Sequence, residues 1–262
     1  MRRWPRVAIG LAAGAAAGGT VVALASSEAP QPSVRPGPPP RPAIRPALAI
    51  PAPRVLGAEP GLTRWAPLRR AVAARTRPAA SAPVRTRIAR LTPEGTQTPL
   101  PVLGRRRDDA GRIWLQVRLP VLPNGTTGWV PRRALGAYEL ERRSLVDDTR
   151  RLKARLMSGR RTLLSVPVGV GRSRWPTPRG RFIVRNRLER FASPEYGPVA
   201  FGTDARSPVL TDWPSGGFIG IHGTDRPDLL PGRVSHGCIR MRNADILRLA
   251  RLMPVGTPVT VL

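Results

Sequence analysis

Two short runs, Ile221-His222-Gly223-Thr224 and Ser235-His236-Gly237-Cys238-Ile239-Arg240-Met241, hold both histidines and the single cysteine of a 262-residue chain. Scattering over the whole length would not place three such residues within sixteen positions. Three chemistries fit them: a thiol nucleophile with a histidine base, a metal site, or a structural cluster. A zinc site would need Asp225 or Asp228 to complete its ligands, with His236 and Cys238 awkwardly close together. A nucleophile needs a partly ionised thiol and backbone N–H groups for the oxyanion, and Ser235-His236-Gly237-Cys238 offers both. Gly237 lets the backbone approach a substrate carbonyl, so the Cys238 amide, with that of Gly237, is expected to face the oxyanion. Because His222 precedes Cys238, the papain order of nucleophile before histidine is excluded. Ser-x-x-Lys chemistry is excluded too, since Lys153 is the only lysine and Arg150 stands three before it.

Outward from this centre the pattern is β-rich. Leu152, Ala154 and Leu156 alternate with charged residues, Ser158-Gly159 turns the chain, and Leu163 to Val170 completes a hairpin. Turns follow at Pro176-Thr177-Pro178-Arg179-Gly180 and Trp213-Pro214-Ser215-Gly216-Gly217. Helical spacing appears only over Ala244 to Met253, with Asn243 as its cap, and Val259 to Leu262 reads as a closing strand. Upstream, residues 62–137 read as short strands separated by Thr92-Pro93-Glu94-Gly95 and Leu122-Pro123-Asn124-Gly125. Trp114-Leu115-Gln116-Val117 and Gly128-Trp129-Val130 supply the core of this small β-barrel, and both tryptophans are expected to fill it.

The first 25 residues put Arg2, Arg3 and Arg6 before an apolar run ending in Ala23-Leu24-Ala25, the pattern of an export signal, with an uncleaved membrane anchor as the rival. Residues 26–61 are almost all Pro, Ala, Arg and Gly and read as an extended, disordered tether. The formal charge of +28 favours polyanions. Nucleic acid is not the expected partner, because the arginines are spread thinly and no zinc-finger spacing or aromatic RNA-binding signature is present.

The two runs quoted first, with Val168-Gly169-Val170-Gly171, Pro176 to Phe182 and Gly256-Thr257-Pro258-Val259, resemble the signature of L,D-transpeptidases with a YkuD-type catalytic domain, over residues 140–262. Trp114-x-x-Val117 with Asn124-Gly125 and Gly128-Trp129-Val130-Pro131 resembles a bacterial SH3-like domain. The resemblance implies a mainly β fold: a YkuD-type β-sandwich with one short helix, preceded by a small SH3-like barrel. It further implies that Cys238 attacks a peptide carbonyl, that His222 takes its proton and that the Gly223 carbonyl orients the imidazole. His236 and Gly237 would border the nucleophile, although from sequence the two histidines can exchange roles. Ser235, Arg240 and Thr224 are candidate substrate contacts; for each, a surface or turn-forming role is the alternative. Tyr196 and Trp213 read as packing.

The implied reaction is a 3→3 cross-link between peptidoglycan stem peptides through a cysteine acyl-enzyme, releasing D-alanine, without cofactor or metal. Carbapenem-type β-lactams would inhibit it. Rivals are L,D-carboxypeptidase activity, exchange with a D-amino acid or protein acceptor, and a non-catalytic wall-binding protein. The expected location is the cell envelope, with wall polymers bound through the SH3-like segment and membrane contact only through the N-terminal run.

Overall fold

The computed structural model describes residues 62–189, 193–210 and 217–262. The export run, the proline-rich tether and Trp213 lie outside the described residues.

The first sheet is built from β1 (Thr63–Pro67), β2 (Val72–Arg75), β3 (Val84–Ile88), β4 (Pro99–Arg107), β5 (Ile113–Arg118), β6 (Thr127–Pro131) and β7 (Glu139–Glu141). Its order is β3-β2-β6-β5-β4-β1-β7, and every pairing in it is antiparallel. Alternation drives this arrangement, since successive strand residues point to opposite faces. Leu100, Val102, Leu115, Val117 and Val130 thus share one core with Ala66, Leu68 and Ile88. Trp114 is buried and donates its indole N–H to Asp108 Oδ2 at 2.9 Å. Trp129, expected in the core, is only half-buried; on its strand it is Gly128 and Val130 that turn inward.

The second sheet runs β10-β9-β8-β17-β12-β13-β14-β16-β11-β15. It comprises β8 (Arg143–Asp148), β9 (Lys153–Ser158), β10 (Arg161–Pro167), β11 (Gly169–Gly171), β12 (Gly180–Glu189), β13 (Val199–Arg206), β14 (Phe218–His222), β15 (Gly232–Ser235), β16 (Ile239–Arg240) and β17 (Pro258–Val261). The β9–β10 hairpin turns at Gly159, where the sequence places it. Strand β12 is long enough to serve two neighbours: its first four residues pair with β17 and its second half with β13. Phe182, Val184, Phe201, Ile219, Ile221 and Ile239 build the core with Ile246, Leu249 and Ala250 of α1 (Asn243–Leu252), whose i, i+3, i+4 spacing lays one helix face on it. The helix begins one residue earlier than expected. Asn243 is its first residue, and its side chain accepts a hydrogen bond from Thr224 N at 2.9 Å instead of capping the helix. Mainly β with one α-helix among the described residues, the fold agrees with the expected class.

Two turns of the first sheet reach across to the second. Asn124 donates its amide to Arg206 O at 2.7 Å and accepts from Arg206 N at 3.0 Å, a two-point grip on the backbone of β13. Glu94 meets Arg185 and Asn186 of β12 at 2.6 and 2.9 Å. Arg118 adds an ion pair with buried Asp204 at 3.2 Å.

Candidate active site

Parallel pairing of β14 with β16 sets His222 opposite Arg240 and Ile221 opposite Ile239, which brings Cys238 alongside Gly220. On β14, Ile219 and Ile221 point into the core, while Phe218, Gly220 and His222 take the opposite face. Gly220 lies beside both side chains: a Cβ at this position would make ordinary contacts, 3.7 Å from His222 Cδ2 and 3.8 Å from Cys238 Sγ. Its N–H donates to Sγ at 3.3 Å. The sequence reading passed over this residue.

His222 is 2% exposed, and its Nδ1 lies 2.6 Å from Gly223 O. A carbonyl accepts only, so Nδ1 carries the proton and Nε2 keeps its lone pair. Burial pushes the imidazole down to about 4, with Arg240 adding to the effect and the Gly223 carbonyl opposing it. Burial likewise pushes the Cys238 thiol up, against the Gly220 N–H and the Arg240 guanidinium. Both shifts favour a neutral thiol and a neutral imidazole over the partly ionised thiol expected from the sequence.

The turn holding Cys238 is braced from both sides. Ser235 Oγ donates to Cys238 O at 2.6 Å and accepts from Gly237 N at 3.0 Å. The Gly237 N–H, expected to face an oxyanion, is thereby committed to Ser235. Gly237 has φ +118°, a conformation reserved for glycine, and a Cβ there would stand 2.9 Å from Ile219 Cδ1. Thr177 Oγ1 donates to the Gly237 carbonyl at 2.8 Å and accepts from Gly171 N.

Two cavities meet at the thiol and the imidazole, since both residues line each of them. The first is bordered by Glu195, Ser235, His236 and Arg240; the second by Glu94, Arg185 and Glu189. Tyr196 and Phe218 line both, and the Tyr196 ring stands 4.7 Å from that of His222. Tyr196, read from sequence as packing, belongs to the site. The His236 ring packs against that of Trp175, tilted by 51° with centroids 4.1 Å apart, and the Arg174 guanidinium lies 3.6 Å over the Trp175 ring. Burial lowers its pKa, and Arg172, Arg240 and Arg174 lower it further. Thr224 does not line either cavity. It is buried, its Oγ1 accepting from Arg226 N and its N–H donating to Asn243, so its part is to shape the loop after His222. Among the described residues no group of three or more His, Cys, Asp or Glu side chains is placed to hold a metal.

Comparison with known proteins bears on this half of the chain. The YkuD protein of Bacillus licheniformis is 37% identical over 107 residues, covering 41% of this chain and 58% of that relative. The YkuD protein of Bacillus subtilis is 36% identical over 101 residues, 38% of this chain and 54% of its own. The chain spans little more than half the length of the curated relatives it matches. Among solved structures, the catalytic domain of an E. faecium L,D-transpeptidase covers 46% of this chain and 96% of its own at 25% identity and TM-score 0.36. An L,D-transpeptidase 3 from Mycobacterium tuberculosis with a faropenem-derived adduct covers 57% and 90% at 17% identity and TM-score 0.35. Residues 141–261, the second sheet with its helix, match the family model of YkuD, the L,D-transpeptidase catalytic domain.

Proposed function

We propose that this protein is a cysteine L,D-transpeptidase that joins peptidoglycan stem peptides by 3→3 cross-links. The observation that carries this reading is the Cys238–His222 pair at the junction of two cavities, with the imidazole proton held on Nδ1 by Gly223. A transfer between two peptides needs a nucleophile reachable from both sides.

Cys238 Sγ attacks the donor carbonyl as its proton passes to His222 Nε2. Because the resting pair is neutral, deprotonation belongs to the attack itself. The tetrahedral oxyanion receives the Cys238 N–H, the amide of the turn that Ser235 does not occupy. His222 returns the proton to the departing D-alanine amine as the C–N bond breaks, leaving a thioester. The acceptor amine then attacks the thioester carbon, His222 takes its proton, and Sγ leaves and is reprotonated. Arg240, with a buried Nε lacking a partner, supplies positive charge for a substrate carboxylate. His236 and Gly237 shape the wall beside the nucleophile.

The same reading places the protein in the cell envelope, exported or anchored through residues 1–25, with the first sheet as an SH3-like module that positions the enzyme on wall polymer. The test is incubation of the full chain with a disaccharide tetrapeptide, followed by mass spectrometry, beside Cys238→Ala. A cross-linked dimer with loss of D-alanine, absent from the variant, is the expected result. Tripeptide alone would mean a carboxypeptidase, and no Cys238-dependent product would overturn the assignment.

A further inference from the structure

The second cavity has a wall that the catalytic sheet does not supply. Glu94 sits in the turn at 92–95 of the first sheet, where Thr92 N donates to Thr96 O at 2.7 Å. It is the first sheet's contribution to this cavity, which Phe218, His222 and Cys238 also line. Glu94 Oε1 accepts from Arg185 Nη2 at 2.6 Å, and Oε2 accepts from Asn186 Nδ2 at 2.9 Å. Asn186 in turn accepts from Gly202 N at 3.0 Å. Arg185 is 3% exposed, and its guanidinium lies 3.8 Å over the Phe218 ring. Burial and Arg206 disfavour that charge, while Glu94 and then Asp204 favour it. Glu94 is thus the counter-charge that keeps a buried guanidinium in the cavity wall.

The two cavities differ in charge balance. Around His236 in the first act Arg172, Arg240 and Arg174, with Glu195 opposing them. In the second, ion pairs cancel the charges of the lining: Arg185 with Glu94, and Glu189 with Arg187 of the same strand. A donor ends in a carboxylate and belongs on the arginine side, whereas an acceptor amine approaches as an ammonium and is repelled by an unmasked guanidinium.

We propose that the cavity bounded by Glu94 admits the acceptor amine, and that Glu94, by masking Arg185, is a positioning residue that lets the first sheet govern the second half of the transfer. This rests on the transpeptidase reading above. In that half the ammonium first gives one proton to solvent; the free amine nitrogen then bonds to the thioester carbon, the C–S bond breaks toward Sγ, and a second proton from the nitrogen passes through His222 to sulfur. Water, being neutral, is indifferent to the Arg185 charge, so Glu94 sets the partition between amine and water.

The test uses the full chain and two measurements: the rate of Cys238 acylation by a tetrapeptide donor, and the ratio of dimer to tripeptide at fixed donor concentration. In Glu94→Gln the acylation rate stays within about twofold, while the dimer-to-tripeptide ratio falls on the order of tenfold, and less at high salt. Adding Arg185→Met, which keeps an apolar contact with Phe218 and removes the charge, restores the ratio. An unchanged ratio, equal loss of both half-reactions, or failure of the double variant to restore the ratio would overturn the proposal. Absence of any acylation in the unsubstituted chain would instead overturn the transpeptidase reading, and this inference with it.

Discussion

The two sheets solve the same packing problem with different materials. Among the described residues, the buried polar side chains of the first sheet are Thr92 and Thr98. The second buries Asp147, Thr177, Arg185, Asn186, Thr203, Asp204, His222, Thr224 and Ser235, among others. Every buried polar group must be partnered or it destabilises the fold, so an inventory of this kind marks the region that chemistry has shaped. The first sheet is nearly all hydrocarbon inside and does its work at two turn tips.

That contrast breaks hardest at the imidazole. In His222→Gln, acylation of Cys238 by a stem-peptide donor should fall ~10²–10⁴-fold, the range for losing a positioned general base. The same substitution should flatten part of the acid sensitivity. With its folded pKa depressed to about 4, His222 contributes stability that is present above its unfolded value near 6.5 and is lost as pH falls toward 4. Urea melts between those pH values, alongside stopped-flow acylation, check both; an unchanged acylation rate would remove His222 from the mechanism.

Asp147 tests the other side of the same inventory. It faces inward on β8 with neither carboxylate oxygen partnered, and burial followed by the neighbouring Asp148 charge raises it to about 7. A raised acid contributes stability that is complete below its unfolded value near 3.8 and is lost as pH rises through 7. Asp147→Asn should therefore stabilise the protein above pH 7, by up to ~4 kcal/mol, and leave it little changed near pH 4. Thermal melts across that range would show the stabilisation growing with pH; a pH-independent change would mean that the carboxyl is protonated or hydrated throughout.

The smallest expected effect lies between the sheets. Asn124→Ala removes the two bonds to the Arg206 backbone and should destabilise by ~1–2 kcal/mol, with Cys238 acylation unaltered. Hydrogen exchange at the Arg206 amide reports the change directly. If acylation falls as well, the grip on β13 also shapes the site.

The legible part of this molecule was its chemistry and its local geometry. Cysteine and histidine are rare enough here that their clustering is a signal, and the hairpin at Gly159 and the helix ending before Pro254 follow from short-range patterns. What escaped were residues whose meaning lies in distant partners. Asn243 has the form of a helix cap and props the loop after His222. Ser235 and Gly237 satisfy each other, which removed an expected oxyanion donor. Gly220 and Tyr196 acquire their places only when strands far apart in the chain are paired. Glu94 and Asn124, read as simple chain reversals, meet partners more than eighty positions away.

Strand β17 lies between β8 and β12, although β8 precedes it by more than a hundred residues. Synthesis delivers the chain from its N-terminal end, so no strand ladder runs from β8 to β12 until residues 258–261 arrive, although Arg233 reaches Thr149 by its side chain. The first sheet, whose pairings all close within residues 63–141, can be finished long before. Cys238 is thus already made while the seam between β8 and β12 is still open, and it is β17 that closes that seam.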